Sequence, residues 1–95
     1  MLLHLVCFKY KVVTDEGARA QHRERLAALK DLDGIVALKV GADLVHSPRS
    51  FDTGLSVTFT GRAALEAYQT HPRHVAVAQF GVGLCEQIVA VDFEI

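Results

Sequence analysis

Pro72 does more than any other residue to limit the folds open to this chain. It is one of two prolines among 95 residues and follows the helix-forming run Ala63-Ala64-Leu65-Glu66-Ala67-Tyr68. Its ring locks φ, removes an amide donor and disfavours a helical His71, so no single helix runs through this point. Proline also suits the first position of a helix, which makes His71 an N-cap and His74 a first-turn residue of a second helix. Tyr68, three residues before His71, shares a face with Ala64 and Leu65. The stretch Tyr68-Gln69-Thr70-His71-Pro72-Arg73-His74 thus gathers a phenol and two imidazoles at a helix break, aimed at the core.

The rest of the chain divides around that break. Leu2 to Tyr10 alternates as a strand, with His4, Val6, Phe8 and Tyr10 on one face and Leu3, Leu5, Cys7 and Lys9 on the other. Both faces are mostly apolar, as expected of a central, doubly covered strand. Thr14-Asp15-Glu16 opens a helix expected to run to about Leu32, with Ala18, His22, Leu26 and Leu29 at helical spacing. Asp33-Gly34 ends it. A second strand is predicted over Ile35 to Leu44, bulged or bent at Gly41. A polar loop from Val45 to Asp52 follows, stiffened by an Arg49–Asp52 ion pair. A third strand, Thr53 to Thr60, alternates Leu55, Val57 and Phe59 with Ser56 and Thr58 and reads as half-exposed, near a sheet edge. After the short helix Arg62–Thr70, a helix from Pro72 to about Glu86 is predicted, with Val75, Ala78, Val82 and Cys85 along one side. Gly81 and Gly83 make it soft or closely packed. Gln87 to Ile95 is the last strand.

The order β-α-β-β-α-β, with the second helical region split, specifies an α+β ferredoxin-like domain over residues 1–95. Its four-stranded antiparallel sheet carries helices on one face. A chain of this length buries roughly 65% of its unfolded surface, yet 51% of its residues are hydrophobic and its mean hydropathy is +0.24. That surplus, with a sheet face left bare, predicts a homodimer. The net charge of −1 includes no basic stripe, so no nucleic-acid partner is expected. No run spans a bilayer and no signal peptide opens the chain, which points to a cytoplasmic protein without a membrane partner. Cys7 and Cys85 form no C-x-x-C pair and read as small buried hydrophobes.

These residues together resemble the stress-responsive dimeric α/β-barrel (Dabb) family over essentially the whole length. The likeness rests on His4-Leu5-Val6-Cys7-Phe8-Lys9-Tyr10-Lys11, Gly34-Ile35-Val36, Ser47-Pro48-Arg49-Ser50-Phe51-Asp52, Ala64-Leu65-Glu66-Ala67-Tyr68, the His71-Pro72-x-His74 motif and the closing Val91-Asp92-Phe93. The resemblance implies a ferredoxin-like protomer whose sheet closes a barrel with that of a second copy. It further implies chemistry like that of a plant polyketide cyclase of the family, which makes olivetolic acid by an intramolecular aldol condensation. On that pattern His74 is the base, Tyr68 its partner and His4 a first-strand pocket histidine. A helix-one tyrosine of that pocket falls here at Leu26, and a third-strand histidine at Thr53.

The expected site is a small, mostly apolar pocket between sheet and helices. His74, Tyr68 and His4 carry acid/base chemistry there, and His22, Leu26, Val6, Phe8 and His71 line it. A neutral imidazole in such a pocket takes a proton α to a carbonyl, and a phenol stabilises the enolate. No cofactor is expected. A metal at His71 and His74 lacks an evident third ligand. The leading substrate class is a small carbonyl or phenolic compound. The alternatives are a non-enzymatic, stress-related or ligand-binding homodimer, and a cofactor-free monooxygenase.

Overall fold

The computed structural model describes residues 1–95. Its elements are β1 (Leu2–Tyr10), α1 (Glu16–Ala27), a 3₁₀ turn (Ala28–Asp31), β2 (Ile35–Ala42), β3 (Thr53–Phe59), α2 (Arg62–Thr70), α3 (Pro72–Leu84) and β4 (Cys85–Glu94). The strands form one antiparallel sheet in the order β2-β3-β1-β4. This is the ferredoxin-like α+β fold that the element order requires.

Period-two alternation decides what each sheet face carries. Leu2, His4, Val6, Phe8 and Tyr10 of β1 are buried, as are Leu55, Val57 and Phe59 of β3. They form the core with Leu26 and Leu29 of the first helical region, Leu65 and Tyr68 of α2, and Cys85. The opposite face pairs Leu3 with Phe93, Leu5 with Val91 and Cys7 with Val89. Val89, Val91 and Phe93 remain 42–55% exposed there.

Local chemistry sets the ends. Asp15 caps α1, its carboxylate accepting from the amide of Ala18 at 2.8 Å, which satisfies one of the helix's free N–H groups. His71 caps α3, its Nδ1 accepting from the amide of Arg73 at 3.1 Å, with Pro72 following at the start of the helix. The break is therefore built as the sequence requires. Arg73 then ties α3 to the end of the first helical region, donating to the carbonyl of Ala28 at 2.8 Å and to the Asp31 carboxylate at 3.0 Å.

The structure corrects several expectations. The first helix is α-helical only to Ala27 and tightens into the 3₁₀ turn before Gly34 reverses the chain at φ 85°. β2 stops at Ala42, and its irregularity lies between Ile35 and Ala37 rather than at Gly41, which pairs regularly with Gly54. β3 is an inner strand, not an edge; Ser56 and Thr58 face the bare side of the sheet, and that polarity imitated an edge. α3 ends at Leu84 and β4 starts at Cys85, because Tyr10 pairs with Cys85 and extends the ladder. Arg49 makes no ion pair with Asp52. Asp52 instead accepts from the Tyr10 amide at 2.8 Å, and Arg19 lies 3.9 Å from the same oxygen. Cys85 is buried within the protomer, whereas Cys7 lies exposed on the bare sheet face expected to meet a second copy.

The side of α3 expected to face inward is met in part: Cys85 is buried and Ala78 and Val82 line a cavity, while Val75 is exposed. Val77, Gly81 and Leu84 face the interior at i, i+4 and i+7, while Val82 is 62% exposed. Gly81 is there because α3 crosses α1 at His22, and a Cβ on Gly81 would stand 2.7 Å from His22 Nε2. A Cβ on Gly83 meets nothing within 4 Å. Gly83→Ala is therefore expected to stabilise the fold by about 0.5–1 kcal/mol through helix propensity. Gly81→Ala is expected to destabilise it by about 1–2 kcal/mol, overpacking outweighing the same propensity gain. Urea unfolding of the two variants checks this; equal shifts of the same sign would show that α3 does not approach His22 so closely.

Candidate functional site

A cavity of about 210 Å³ lies between the sheet and the helices. β1 supplies His4, Val6 and Phe8, α1 supplies His22 and Leu26, and the α2–α3 break supplies Tyr68 and His74. All seven were expected from the sequence. His71 was also expected and is not on this wall; its ring is spent capping α3, beside Asp31 and Asp33 on the outer side.

Tyr68 and His74 meet because the helix ends between them. Their ring centroids are 4.2 Å apart, and His4 lies 6.2 Å from Tyr68 edge-on. His74 Nδ1 is 3.3 Å from the carbonyl of Gln69. A carbonyl only accepts, so Nδ1 carries the hydrogen and Nε2 keeps the lone pair in the neutral ring. Burial lowers the His74 pKa below the ordinary histidine value, outweighing the opposing pull of that carbonyl; the nearby His4 and His71 rings add to the lowering. The ring is thus held as a neutral base. Burial pushes the Tyr68 phenol up to about 12, so it stays protonated as a donor. The Tyr68 hydroxyl has no protein partner, and an unpaired buried hydroxyl costs about 1–3 kcal/mol.

Two participants escaped the sequence reading. Asp92 of β4 stands opposite His4 in the ladder, and its Oδ1 engages His4 Nδ1. The carboxylate holds the hydrogen on Nδ1, fixes the orientation of the ring and leaves the lone pair on Nε2. The signal was present in the alternation of β4, where Asp92 stands on the same side as Ala90, but strand pairing is needed to match it to His4. Tyr10, read only as an apolar strand residue, is the second. Its hydroxyl lies 2.7 Å from His22 Nδ1 and donates to Thr53 Oγ1 at 3.0 Å. Burial pushes this phenol up as well, against the opposing bond to Thr53.

A larger hollow of about 460 Å³ lies on the bare sheet face over Gly41 and Gly54. It contains no histidine and no unpaired buried polar atom, so the smaller cavity is the candidate site. No group of three or more His, Cys, Asp or Glu side chains is placed to hold a metal ion.

The fold and this cavity define a ferredoxin-like α/β-barrel protomer. The sequence matches the family model of the stress responsive A/B barrel domain over residues 2–95, and the chain belongs to that Dabb family. No curated protein matches it in sequence. Among solved structures, a dimeric ferredoxin-like protein of unknown function from Thermobifida fusca superposes with a TM-score of 0.91 at 23% identity, covering 99% of this chain and 90% of that one. A dimeric ferredoxin-like protein of unknown function from Jannaschia sp. CCS1 does so with 0.81 at 30% identity, covering 99% and 98%. The hydroxynitrile lyase of Passiflora edulis has the same fold, with 0.89 at 21% identity over 99% and 92%. No helix is long and apolar enough to cross a membrane.

Burial of the cavity histidines has a consequence for stability. His22 is 1% exposed, and burial, aided by the Arg23 charge, lowers its pKa to about 4. Between the unfolded value near 6.5 and about 4, the unfolded chain binds a proton that the folded chain refuses. Stability is therefore full above this window and falls as pH drops through it. Lowering pH from 7 to 5 should cost about 2 kcal/mol from His22, with His74 adding in the same direction. Urea unfolding at the two pH values checks this, and the fall should shrink in His22→Phe; an unchanged fall would place the pH sensitivity elsewhere.

Proposed function

We propose that this protein is a homodimer whose protomers each carry a cofactor-independent acid/base site for a small carbonyl or phenolic compound, of the aldol-cyclase type. The observation that carries the reading is the buried, partnerless hydroxyl of Tyr68. It shares a cavity wall with two histidines whose Nδ1 hydrogens are already engaged. A cavity of about 210 Å³ is smaller than the roughly 300–1,000 Å³ of sites for drug-sized ligands, so its substrate is about the size of one substituted ring.

In this reading the substrate carbonyl accepts from the Tyr68 hydroxyl. His74 Nε2 removes a proton from the adjacent carbon, and the enolate oxygen draws Tyr68 closer as charge develops. The enolate carbon attacks a second carbonyl of the same molecule, forming the new carbon–carbon bond. The resulting alkoxide takes a proton back from an imidazolium, and the cycle closes without an oxidant. His4, steadied by Asp92, relays that proton. The resemblance to the family's polyketide cyclase supports the assignment. The hydroxynitrile lyase on the same fold supports a small-molecule lyase chemistry.

The dimer reading rests on the bare sheet face, where apolar Val89, Val91 and Phe93 stay exposed beside Leu3, Leu5 and Cys7. It is supported by the dimeric state of the ferredoxin-like proteins with this fold. Val91→Arg should convert a dimer into a folded monomer in sedimentation analysis; a wild-type monomer would refute the dimer.

Deuterium exchange of the methyl protons of 4-hydroxyacetophenone in D₂O, followed by NMR, tests the chemistry without a known substrate. The protein should accelerate exchange. His74→Ala should lower that acceleration by about 10²-fold or more, the usual scale of general-base catalysis, and Tyr68→Phe by a comparable factor. Asp92→Asn should lower it less. If the wild type binds the ketone but leaves its exchange rate unchanged, the protein is a ligand-binding dimer instead.

A further inference from the structure

The cavity is closed at one end and open at the other. Its lining is buried at Phe8, His22 and Leu26, where α3 comes close to α1. Exposure rises toward β4: Val82 of α3 is 62% exposed and Ile88 of β4 is 38% exposed, and both line the same cavity. The mouth therefore lies between α3 and β4. His74 and Ala78 stand half-buried beside it.

Outside the mouth the wall continues. A groove of about 270 Å³ runs along α3, lined by Gln69, His74, Val75, Ala78, Gln79 and Val82. It shares His74, Ala78 and Val82 with the cavity, so the two hollows adjoin around these side chains. Val75, Ala78 and Val82 recur at i, i+3 and i+7 and form an apolar stripe on one side of the helix. The protomer leaves this stripe uncovered, Val75 being 37% exposed. The cavity of about 210 Å³ is small for a whole ligand, but with the groove it enters the roughly 300–1,000 Å³ range of ligand sites.

His74 fixes which part of a ligand leaves by this route. In the acid/base reading the Tyr68 hydroxyl holds the carbonyl oxygen, and His74 takes the proton from the adjacent carbon. His74 borders both hollows, so that carbon sits where they meet. Its other substituent is directed outward, into the groove. The ring on the far side of the carbonyl then fills the closed end among Phe8, His22 and Leu26, where aromatic edges suit an aromatic face.

We propose that the groove along α3 is an acyl-chain subsite, so that the substrate class is a small ring ketone with an unbranched apolar chain on its carbonyl. This deepens the acid/base reading and rests on the cavity being the ligand site. The chain is held by burial against Val75, Ala78 and Val82, and no hydrogen bond is asked of it. Its end stays in solvent, so the site selects for a chain rather than for one exact length.

The test is a series of 4-hydroxyphenyl ketones with acetyl, butanoyl, hexanoyl and dodecanoyl chains, measured by titration calorimetry. Affinity should rise by about twofold per methylene, against the roughly fourfold that full burial yields. Val75 to Val82 spans about 10 Å of helix, so the rise should level off once the chain outruns that length. In Val75→Ser/Val82→Ser, two exposed positions, the series should be flat. A chain at the other end of the ring, as in 4-hexyloxyacetophenone, should gain nothing, because the closed end has no exit. Methyl NMR of the wild type needs no variant: the Val75 signals should shift with the hexanoyl ketone and not with the acetyl one. Affinity independent of chain length, an equal gain from either end of the ring, or Val75 signals that ignore the hexanoyl chain overturns the proposal. So does dissociation of the dimer in the serine variant, which would give the groove to the second copy. A chain-length gain without any proton exchange would leave the subsite and end the acid/base reading. Exchange without the gain would do the reverse.

Discussion

The register of β1 is the constraint on which the rest of this molecule depends. β1 is hydrogen-bonded on both sides, to β3 and β4, and its alternation sends His4, Val6, Phe8 and Tyr10 toward the helices. A slip of one residue would turn that whole set to the opposite face. Leu3, Leu5, Cys7 and Lys9 would then meet the helices, and His4 would no longer reach Tyr68. Pairing on both flanks prevents the slip, because it would have to occur in two ladders at once. The same register brings Asp92 opposite His4, so the orienting carboxylate follows from strand pairing alone.

Much of this was legible in the chain because the informative signals are local. The alternation of β1, the Asp15 cap and the His71-Pro72 break each act over a few residues, and each gives the element expected. The errors share a different cause. β3 carries Ser56 and Thr58 on one face and so imitates an edge, yet it is central, because that face lies outside this protomer's core. The spacing of Val75, Ala78, Val82 and Cys85 points to one side of α3, but the side packed deepest, Val77, Gly81 and Leu84, is set by the approach of α1. Strand order and helix contact are long-range properties, and no local pattern encodes them.

The site divides in the same way. His4, Tyr68 and His74 stand out by residue type and spacing, and the resemblance to the Dabb family gives them roles. Asp92 and Tyr10 look ordinary in sequence, one a charge on a terminal strand and the other an aromatic on a core face. Their importance comes only from what the sheet sets beside them. His71 failed for the complementary reason: its ring bonds the Arg73 amide, and a histidine used as a helix cap has no Nδ1 left for a cavity.

The three cavity histidines differ in what holds their rings in place. Asp92 fixes His4 with a charge, the Gln69 carbonyl fixes His74 with a dipole, and the Tyr10 hydroxyl fixes His22 with a neutral donor–acceptor. Burial lowers the pKa of both His74 and His22, which favours the neutral ring at each. In the proposed cycle the proton moves through His74 and His4 at the open end of the cavity. His22, wedged among Phe8, Tyr10 and Phe80 and closed off by Gly81, serves the packing of α1 on α3.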